Sequence, residues 1–142
     1  MIKNIFDLVA RIVIAGHFIY EAIDSIIFFQ ETKAQMTSYY INWNQDLLLI
    51  GAIILLILGG TLILLGYRMG LGGMLILAYW IPVTFIVYSF WNDAPADVRI
   101  NALIFSKNMA ITGAVLMIMI KGSGRYSLKR IMRVTRIPIG ET

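Results

Sequence analysis

The chain contains no cysteine, so disulfides, thiol redox chemistry, c-type haem attachment and cysteine-ligated metal clusters are all excluded. It has a single histidine, His17, which excludes a haem held by two histidines within one copy. Charged residues are also scarce, at 14% of 142 positions, whereas 59% are hydrophobic. The sequence has no phosphate-binding glycine loop and no nucleophile with a neighbouring base. The scarcity of charge, the high hydrophobic content and the short length indicate a membrane protein of one domain.

Four hydrophobic stretches are long enough, or nearly so, to cross ~30 Å of hydrocarbon, which takes roughly 20 apolar residues. They cover residues 5–29, 47–65, 71–91 and 103–120. All four are predicted to be helices, because period-2 alternation is absent and only helices and closed barrels satisfy every backbone group in lipid. The first stretch is interpreted as a retained span, since it is too long and too charged for a signal peptide. The predicted fold is an all-α membrane protein, an antiparallel four-transmembrane-helix bundle formed by residues 1–122.

Lysine and arginine residues in the loops predict the orientation of the spans. With four spans both termini lie on one side, and Lys3, Arg68 and the basic C-terminal tail fall on that side. The opposite side carries only Lys33 and Arg99, with Lys107 just inside the fourth span. Both termini are therefore predicted to be cytoplasmic.

Residues 123–142 form this basic tail, a C-terminal basic amphipathic segment in which helical spacing separates cationic from apolar side chains. We interpret it as a helix that lies in the cytoplasmic interface and binds anionic headgroups. A solvated tail that only sets the topology is the alternative. Nucleic-acid binding is disfavoured, because the membrane already explains a basic segment directly after a span. The predicted membrane-surface residues are Arg125, Lys129, Arg130, Arg133 and Arg136.

The first span carries a polar stripe, since His17, Glu21 and Asp24 follow an i, i+4, i+7 spacing on one helical face. A charge near the bilayer centre costs ~2.5–3.5 kcal/mol on insertion scales, so the stripe is predicted to face the bundle interior. Lys107 lies at a similar depth in the fourth span and is the predicted partner of Asp24 or Glu21. The predicted pocket lies in the outer half of the bundle, and its candidate residues are His17, Tyr20, Glu21, Asp24, Tyr88, Trp91, Lys107 and Asn108.

Three interpretations of this pocket stay open. A buried ion pair could fix the helix register. Alternatively, His17 and Glu21 could relay protons to a bound quinone or another small molecule. A metal site would need carboxylates for its remaining ligands, because the chain has one histidine and no cysteine, and no metal is predicted. Asp7 and Arg11, spaced i, i+4, are predicted to pair with each other, which explains them without a function.

Several segments resemble the DoxX family. "GGTLILLGYRMGLGGMLI" is similar to its glycine-closed second span and short turn, and "VYSFW" followed by "FSKNMAITGAVLMIMIKGSGRYSL" is similar to its third and fourth spans. With "ARIVIAGHF" in the first span, the resemblance covers about residues 5–130. The chain departs from the family pattern in reading "EAIDSI" late in the first span and in having no glutamate near Leu56. Positions that match are Trp91, Lys107, Asn108, Gly113, Gly122, Gly124 and Ser127.

The resemblance implies a four-helix protein of the bacterial cytoplasmic (inner) membrane. Some relatives are described as membrane subunits of thiosulfate:quinone oxidoreductase, and others as membrane partners in redox-stress complexes. The expected function is that of a redox-system subunit that binds a quinone or similar small molecule, with no covalently bound cofactor. Catalysis would be shared with a partner, and the expected partner is another protein or further copies of this chain. Whether the chain is itself an enzyme is left open.

The alternative function is a non-catalytic membrane scaffold whose buried charges only fix helix packing. A transporter is disfavoured, because no span is interrupted by paired glycine and proline residues.

Overall fold

A computed structural model describes residues 2–122 and residue 127. This part of the chain is helical and contains no strand. Its helices are α1 (Ile2–Ile27), α2 (Phe29–Ser38), α3 (Gln45–Leu65), α4 (Met69–Val87) and α5 (Val98–Lys121), with a 3₁₀ turn at Phe90–Asn92.

Three of the helices, α3, α4 and α5, are each long and apolar enough to cross a membrane. Helix α1 meets the same criteria together with α2, and the two are bent by 93° at Phe28. The protein is therefore an all-helical membrane protein with three candidate spans, or four if the bent pair forms one. The helices end earlier than two of the predicted stretches do, since α1 stops at Ile27 and α4 at Val87.

The polar segment after Phe29 is a loop in the sequence-based prediction, but nine of its residues, 30–38, belong to helix α2. The chain bends here because the sequence changes from apolar to polar, and polar side chains are expensive in hydrocarbon. Two contacts hold α2 against the start of α3: Lys33 Nζ lies 2.6 Å from Asp46 Oδ1, and Gln45 Nε2 donates to Thr37 Oγ1 over 2.8 Å.

The turn between α3 and α4 is only three residues long, Gly66 to Arg68. Gly66 ends α3 in the left-handed region at φ 65°, where glycine is favoured because it has no Cβ. The Tyr67 N–H donates to the Leu62 carbonyl and the Gly66 N–H to the Ile63 carbonyl, which together form a Schellman motif. This short turn makes α3 and α4 antiparallel neighbours, as the sequence predicts.

Small residues let α3 approach its neighbours closely. A Cβ on Gly59 would lie 2.6 Å from Ile76 Cγ1 and 2.8 Å from the Gly72 carbonyl oxygen, and one on Gly60 would lie 2.9 Å from Ile19 Cγ1. Gly51, on the same helix, has nothing within 4 Å of this position. Gly59 and Gly60 therefore serve helix packing, and Gly51 does not.

The helices pack in the order α1 on α3, α3 on α4 and α4 on α5. Within the described residues α1 and α5 do not pack against each other along their lengths. They meet at one end, where Lys121 Nζ lies 3.4 Å from Asp7 Oδ1, so the two helices run antiparallel. The side chain of Trp80, on α4, contacts both of them.

Candidate functional site

His17 and Glu21 form a pair one turn apart on α1. Their nearest atoms, His17 Nε2 and Glu21 Oε2, are 3.8 Å apart, close enough for an ion pair when the imidazole is protonated but too far for a hydrogen bond. The two side chains are 39% and 37% exposed, so each is only partly enclosed by the protein. The pair lies beside the buried stripe of α1 that contains Phe18 and Ala22. One edge of the His17–Glu21 pair therefore contacts the protein core, and the other edge is exposed at the protein surface.

The imidazole of His17 rests on Trp80, with ring centroids 5.6 Å apart in an edge-to-face arrangement. Phe18 contacts the same indole at 5.1 Å. Although the His17 side chain is partly exposed, its Nε2 atom is buried and accepts or donates no hydrogen bond among the described residues. A buried polar atom without a partner costs about 1–3 kcal/mol, and an external group reaches this nitrogen only if the His17 side chain moves.

Two tyrosines of the α4 region lie near the same pair. The carboxylate of Glu21 interacts electrostatically with the hydroxyl groups of Tyr79 and Tyr88. Tyr79 is partly buried against the core, and Tyr88 follows the last residue of α4. Glu21 is thus close enough to the α4 region for its charge to act on both tyrosines.

Asn108 is a buried residue of α5, and its hydrogen bonds join α5 to α4. Its Nδ2 donates to Thr84 Oγ1 over 3.2 Å, and its backbone carbonyl accepts from Trp80 Nε1 at 3.3 Å and from Thr112 Oγ1 at 2.9 Å. Such bonds between membrane helices contribute about 0.6 kcal/mol each on average and up to about 1.7 kcal/mol. The network fixes the Trp80 indole, against which His17 packs.

The predicted ion pair between Lys107 and the acids of α1 is wrong. Lys107 and Asp24 are both exposed, and the ion pairs of the described residues do not join Lys107 to Asp24 or to Glu21. Depth along the helices suggested the pairing, but an ion pair also requires that α1 and α5 approach each other at that level, and they do not.

The remaining candidates lie away from His17. Tyr20 is 67% exposed. Trp91 belongs to an aromatic group at the end of α4, with ring centroids 5.8 Å from Phe105, 6.3 Å from Phe85 and 5.3 Å from Phe90. The membrane-surface candidates Arg125, Lys129, Arg130, Arg133 and Arg136 lie outside the described residues.

Sequence reasoning missed Tyr79, Trp80 and Thr84. A signal for two of them was present, because Trp80, Thr84 and the predicted Tyr88 follow an i, i+4, i+8 spacing and form one polar stripe on an otherwise apolar helix. Among the described residues, no group of three histidine or carboxylate side chains is placed to hold a metal ion.

A second polar cluster lies where α1 begins and α5 ends. Arg11 Nε lies 3.3 Å from Asp7 Oδ2, which confirms the predicted pair, and both side chains are buried. Lys121 joins the same carboxylate from α5. A Cβ on Gly66 would collide with the Arg11 guanidinium and with Ser127, so the α3–α4 turn and Ser127 close over this cluster. We term Asp7, Arg11 and Lys121 the Asp7 cluster.

These features define the class: an integral membrane protein built of packed helices, with one buried charge cluster that ties helices together and one partly exposed histidine–carboxylate pair. The chain belongs to the DoxX family, whose model matches residues 6–89. No curated protein and no solved structure matches the chain.

Proposed function

We propose that the protein is the membrane subunit of a redox system and that it binds the head of a quinone, or of a similar small molecule, at His17 and Glu21. Membership of the DoxX family supports a redox-associated membrane role. Reduction of a quinone takes two electrons and two protons. In this proposal a partner redox protein supplies the electrons, His17 and Glu21 pass one proton to the quinone oxygen that they contact, and the other oxygen takes its proton from water.

One observation carries the proposal. His17 Nε2 is a buried polar atom without a hydrogen bond among the described residues, yet it sits 3.8 Å from a carboxylate and its ring is 39% exposed. Once the His17 side chain turns to expose this nitrogen, a quinone carbonyl that accepts a hydrogen bond from it would satisfy it. The Trp80 indole would then lie beside the quinone ring.

The topology is a further part of the proposal. We place α1, α3, α4 and α5 as four spans of a bacterial cytoplasmic membrane, with α2 on the outer surface and both termini in the cytoplasm. The distribution of Lys3, Arg68 and the tail cations against Lys33 and Arg99 supports this orientation. The basic tail then lies on anionic headgroups. Because the chain has no cysteine, single cysteines at Arg68 and Lys33 should label with a membrane-impermeant maleimide from opposite sides.

Binding can be measured through Trp80, because quinones quench indole fluorescence at short range. Replacing Trp43 and Trp91 by phenylalanine leaves Trp80 as the only tryptophan of the chain. In lipid nanodiscs, a short-chain benzoquinone should quench Trp80 saturably. Glu21→Gln and His17→Ala should each weaken binding about tenfold, the effect of one lost hydrogen bond to a charged group.

The matched control is Glu31→Gln, which removes an exposed carboxylate on α2. Glu21→Gln and Glu31→Gln should unfold at the temperature of the parent chain, whereas His17→Ala should unfold slightly below it because it loses the ring contacts with Phe18 and Trp80. Equal quinone affinity in Glu21→Gln, His17→Ala and the control would refute the proposal.

A second candidate function is a non-catalytic scaffold in a redox complex. The buried Asp7 cluster and the Asn108 network favour it, since their polar groups are used to join helices of this chain. A scaffold predicts that Glu21→Gln and His17→Ala retain both complex assembly and activity of the complex, with no saturable quenching of Trp80.

A further inference from the structure

Helices α1 and α5 each carry an exposed charge within a hydrophobic stretch. Asp24 lies one turn before the end of α1, and Lys107 lies near the middle of α5; both residues are exposed. Among the described residues neither takes part in an ion pair. A charge that faces hydrocarbon is unfavourable, and charges within membrane helices are almost always paired or turned toward a protein interior. The two charges therefore favour a neighbour in the membrane that covers them.

Both charges lie on the same side of the molecule. Asp24 follows His17 by seven residues, so the two share one side of α1, and the ring of His17 rests on helix α4. Lys107 precedes Lys121 by fourteen residues and shares its side of α5, where Lys121 contacts Asp7 of α1. Asp24 and Lys107 therefore border the side of the protein on which α1 and α5 do not pack against each other along their lengths.

The two charges also lie at similar depth. Helices α1 and α5 are antiparallel and meet where Lys121 contacts Asp7. Asp24 is seventeen residues from this contact along α1 and Lys107 fourteen along α5, which at ~1.5 Å of rise per residue is roughly 26 Å and 21 Å. Helical side chains tilt toward the N-terminus of their helix, so that of Asp24 tilts toward the contact and that of Lys107 away from it, which narrows the difference.

Helix α5 has an uncovered face for such a neighbour. Of its 18-residue apolar window 17% is buried within the chain, against 39% for that of α3. Exposed residues of α5 include Leu103, Ala110 and Met117, and a Cβ on Gly113 would meet open space. Small residues on the surface of a membrane helix let another helix approach closely. This face is therefore apolar, and small residues make it accessible to a further helix.

We propose that a second copy of the chain packs against α1 and α5 in a twofold dimer, with Asp24 of each copy paired to Lys107 of the other. A twofold interface is self-complementary, because every contact between the two copies occurs twice. One acid and one base on the same side of one chain meet this requirement. Two copies with the same orientation in the membrane also keep the depth of each residue, and these two residues lie at similar depth. The dimer goes beyond the proposed function, since its ion pairs involve neither His17 nor Glu21.

The test exchanges the two charges one at a time. Because the chain has no cysteine, Arg68→Cys can carry a donor or an acceptor dye, and energy transfer between copies in liposomes is followed as lipid is added. Asp24→Lys and Lys107→Asp should each weaken association about tenfold or more, because each variant places like charges opposite each other. The control Glu31→Lys, at an exposed acid of α2, should associate like the parent.

An equimolar mixture of the two variants is the decisive sample. A copy with Asp24→Lys presents two cations and a copy with Lys107→Asp two anions, so both ion pairs form again between unlike copies. Association in the mixture should return to within about threefold of the parent. A pair within one chain is not restored by adding another chain, so recovery supports the dimer. A parent that does not associate, or a mixture that associates no better than either variant alone, overturns it.

If the charge exchanges do not accumulate as folded protein, single cysteines decide the same question. Copies with Asp24→Cys and copies with Lys107→Cys, mixed in the membrane, should form disulfide-linked dimers on oxidation with copper phenanthroline. The control mixture replaces Asp24→Cys by Ile54→Cys, at a position 50% exposed on α3. Ile54 is nearly level with Asp24, because Gly60, six residues later on this antiparallel helix, packs against Ile19. Equal yields of linked dimer from the two mixtures overturn the proposed interface.

Discussion

Replacing Arg11 by methionine is expected to destabilise the protein by about 3 kcal/mol, the lower end of the range of about 3–5 kcal/mol for breaking a buried ion pair. The Arg11 side chain is 1% exposed and that of Asp7 is 7% exposed, with Nε and Oδ2 at 3.3 Å. Methionine fills much of the volume but leaves the Asp7 carboxylate buried. Lys121, at 3.4 Å, offsets only part of this cost, about 0–1 kcal/mol, because its own side chain is 62% exposed and solvent-screened.

The matched comparison is Lys33→Met. The Lys33–Asp46 contact is shorter, at 2.6 Å, but the Asp46 side chain is 67% exposed, so its loss should cost only about 0–1 kcal/mol. Unfolding of both variants can be followed by circular dichroism in mixed micelles with increasing sodium dodecyl sulfate. The double variant Asp7→Asn/Arg11→Met should recover part of the loss, because no charge is left buried. Two results would contradict this explanation: Lys33→Met as destabilising as Arg11→Met, or a double variant less stable than Arg11→Met alone. Either would show that the stability Arg11 provides does not come from pairing a buried charge.

Two further stability measurements test the packing that holds the site. Gly59→Ala should destabilise by about 1–3 kcal/mol, because its Cβ would lie 2.8 Å from a backbone oxygen that cannot move away, whereas Gly51→Ala should be neutral or slightly stabilising. Equal stability of the two alanine variants would show that α3 and α4 are not closely packed at that point. Thr84→Val should destabilise the protein by about 1–2 kcal/mol, because it removes the acceptor of the Asn108 side-chain amide. The control Thr61→Val, at an exposed position, should leave the stability unchanged. Unfolding in the same micelles measures both variants.

Features that depend on neighbours along one helix could be predicted from the sequence. Asp7 and Arg11 pair as their i, i+4 spacing predicts, and His17 and Glu21 approach each other for the same reason. The apolar runs predicted α3, α4 and α5, because helix formation in lipid is imposed by the need to satisfy the backbone. The chain reversal at Gly66 followed from local turn chemistry.

Features that depend on distances between helices could not be predicted. Depth alone suggested that Lys107 pairs with Asp24 or Glu21, but the ion pairs of the described residues join it to neither acid. Trp80 was overlooked because the sequence of an apolar helix does not show which residues of other helices its tryptophan contacts. Its indole contacts His17 of α1 and donates to the backbone carbonyl of Asn108 on α5. Helix α2 was overlooked because polar composition is typical of loops as well as of interfacial helices.

The sequence by itself determined the class of protein, the hydrophobic helices and the local pairs on α1, since hydrophobicity and helical spacing act over a few residues. The tertiary structure decided which polar groups meet: it joined Lys121 to Asp7, packed the Trp80 indole against His17 and formed no ion pair between Lys107 and Glu21. The physical reason is that helix–helix separation depends on the packing of small side chains such as Gly59 and Gly60, summed over whole interfaces. An ion pair forms or fails within about 4 Å, a distance that spacing along one helix does not determine.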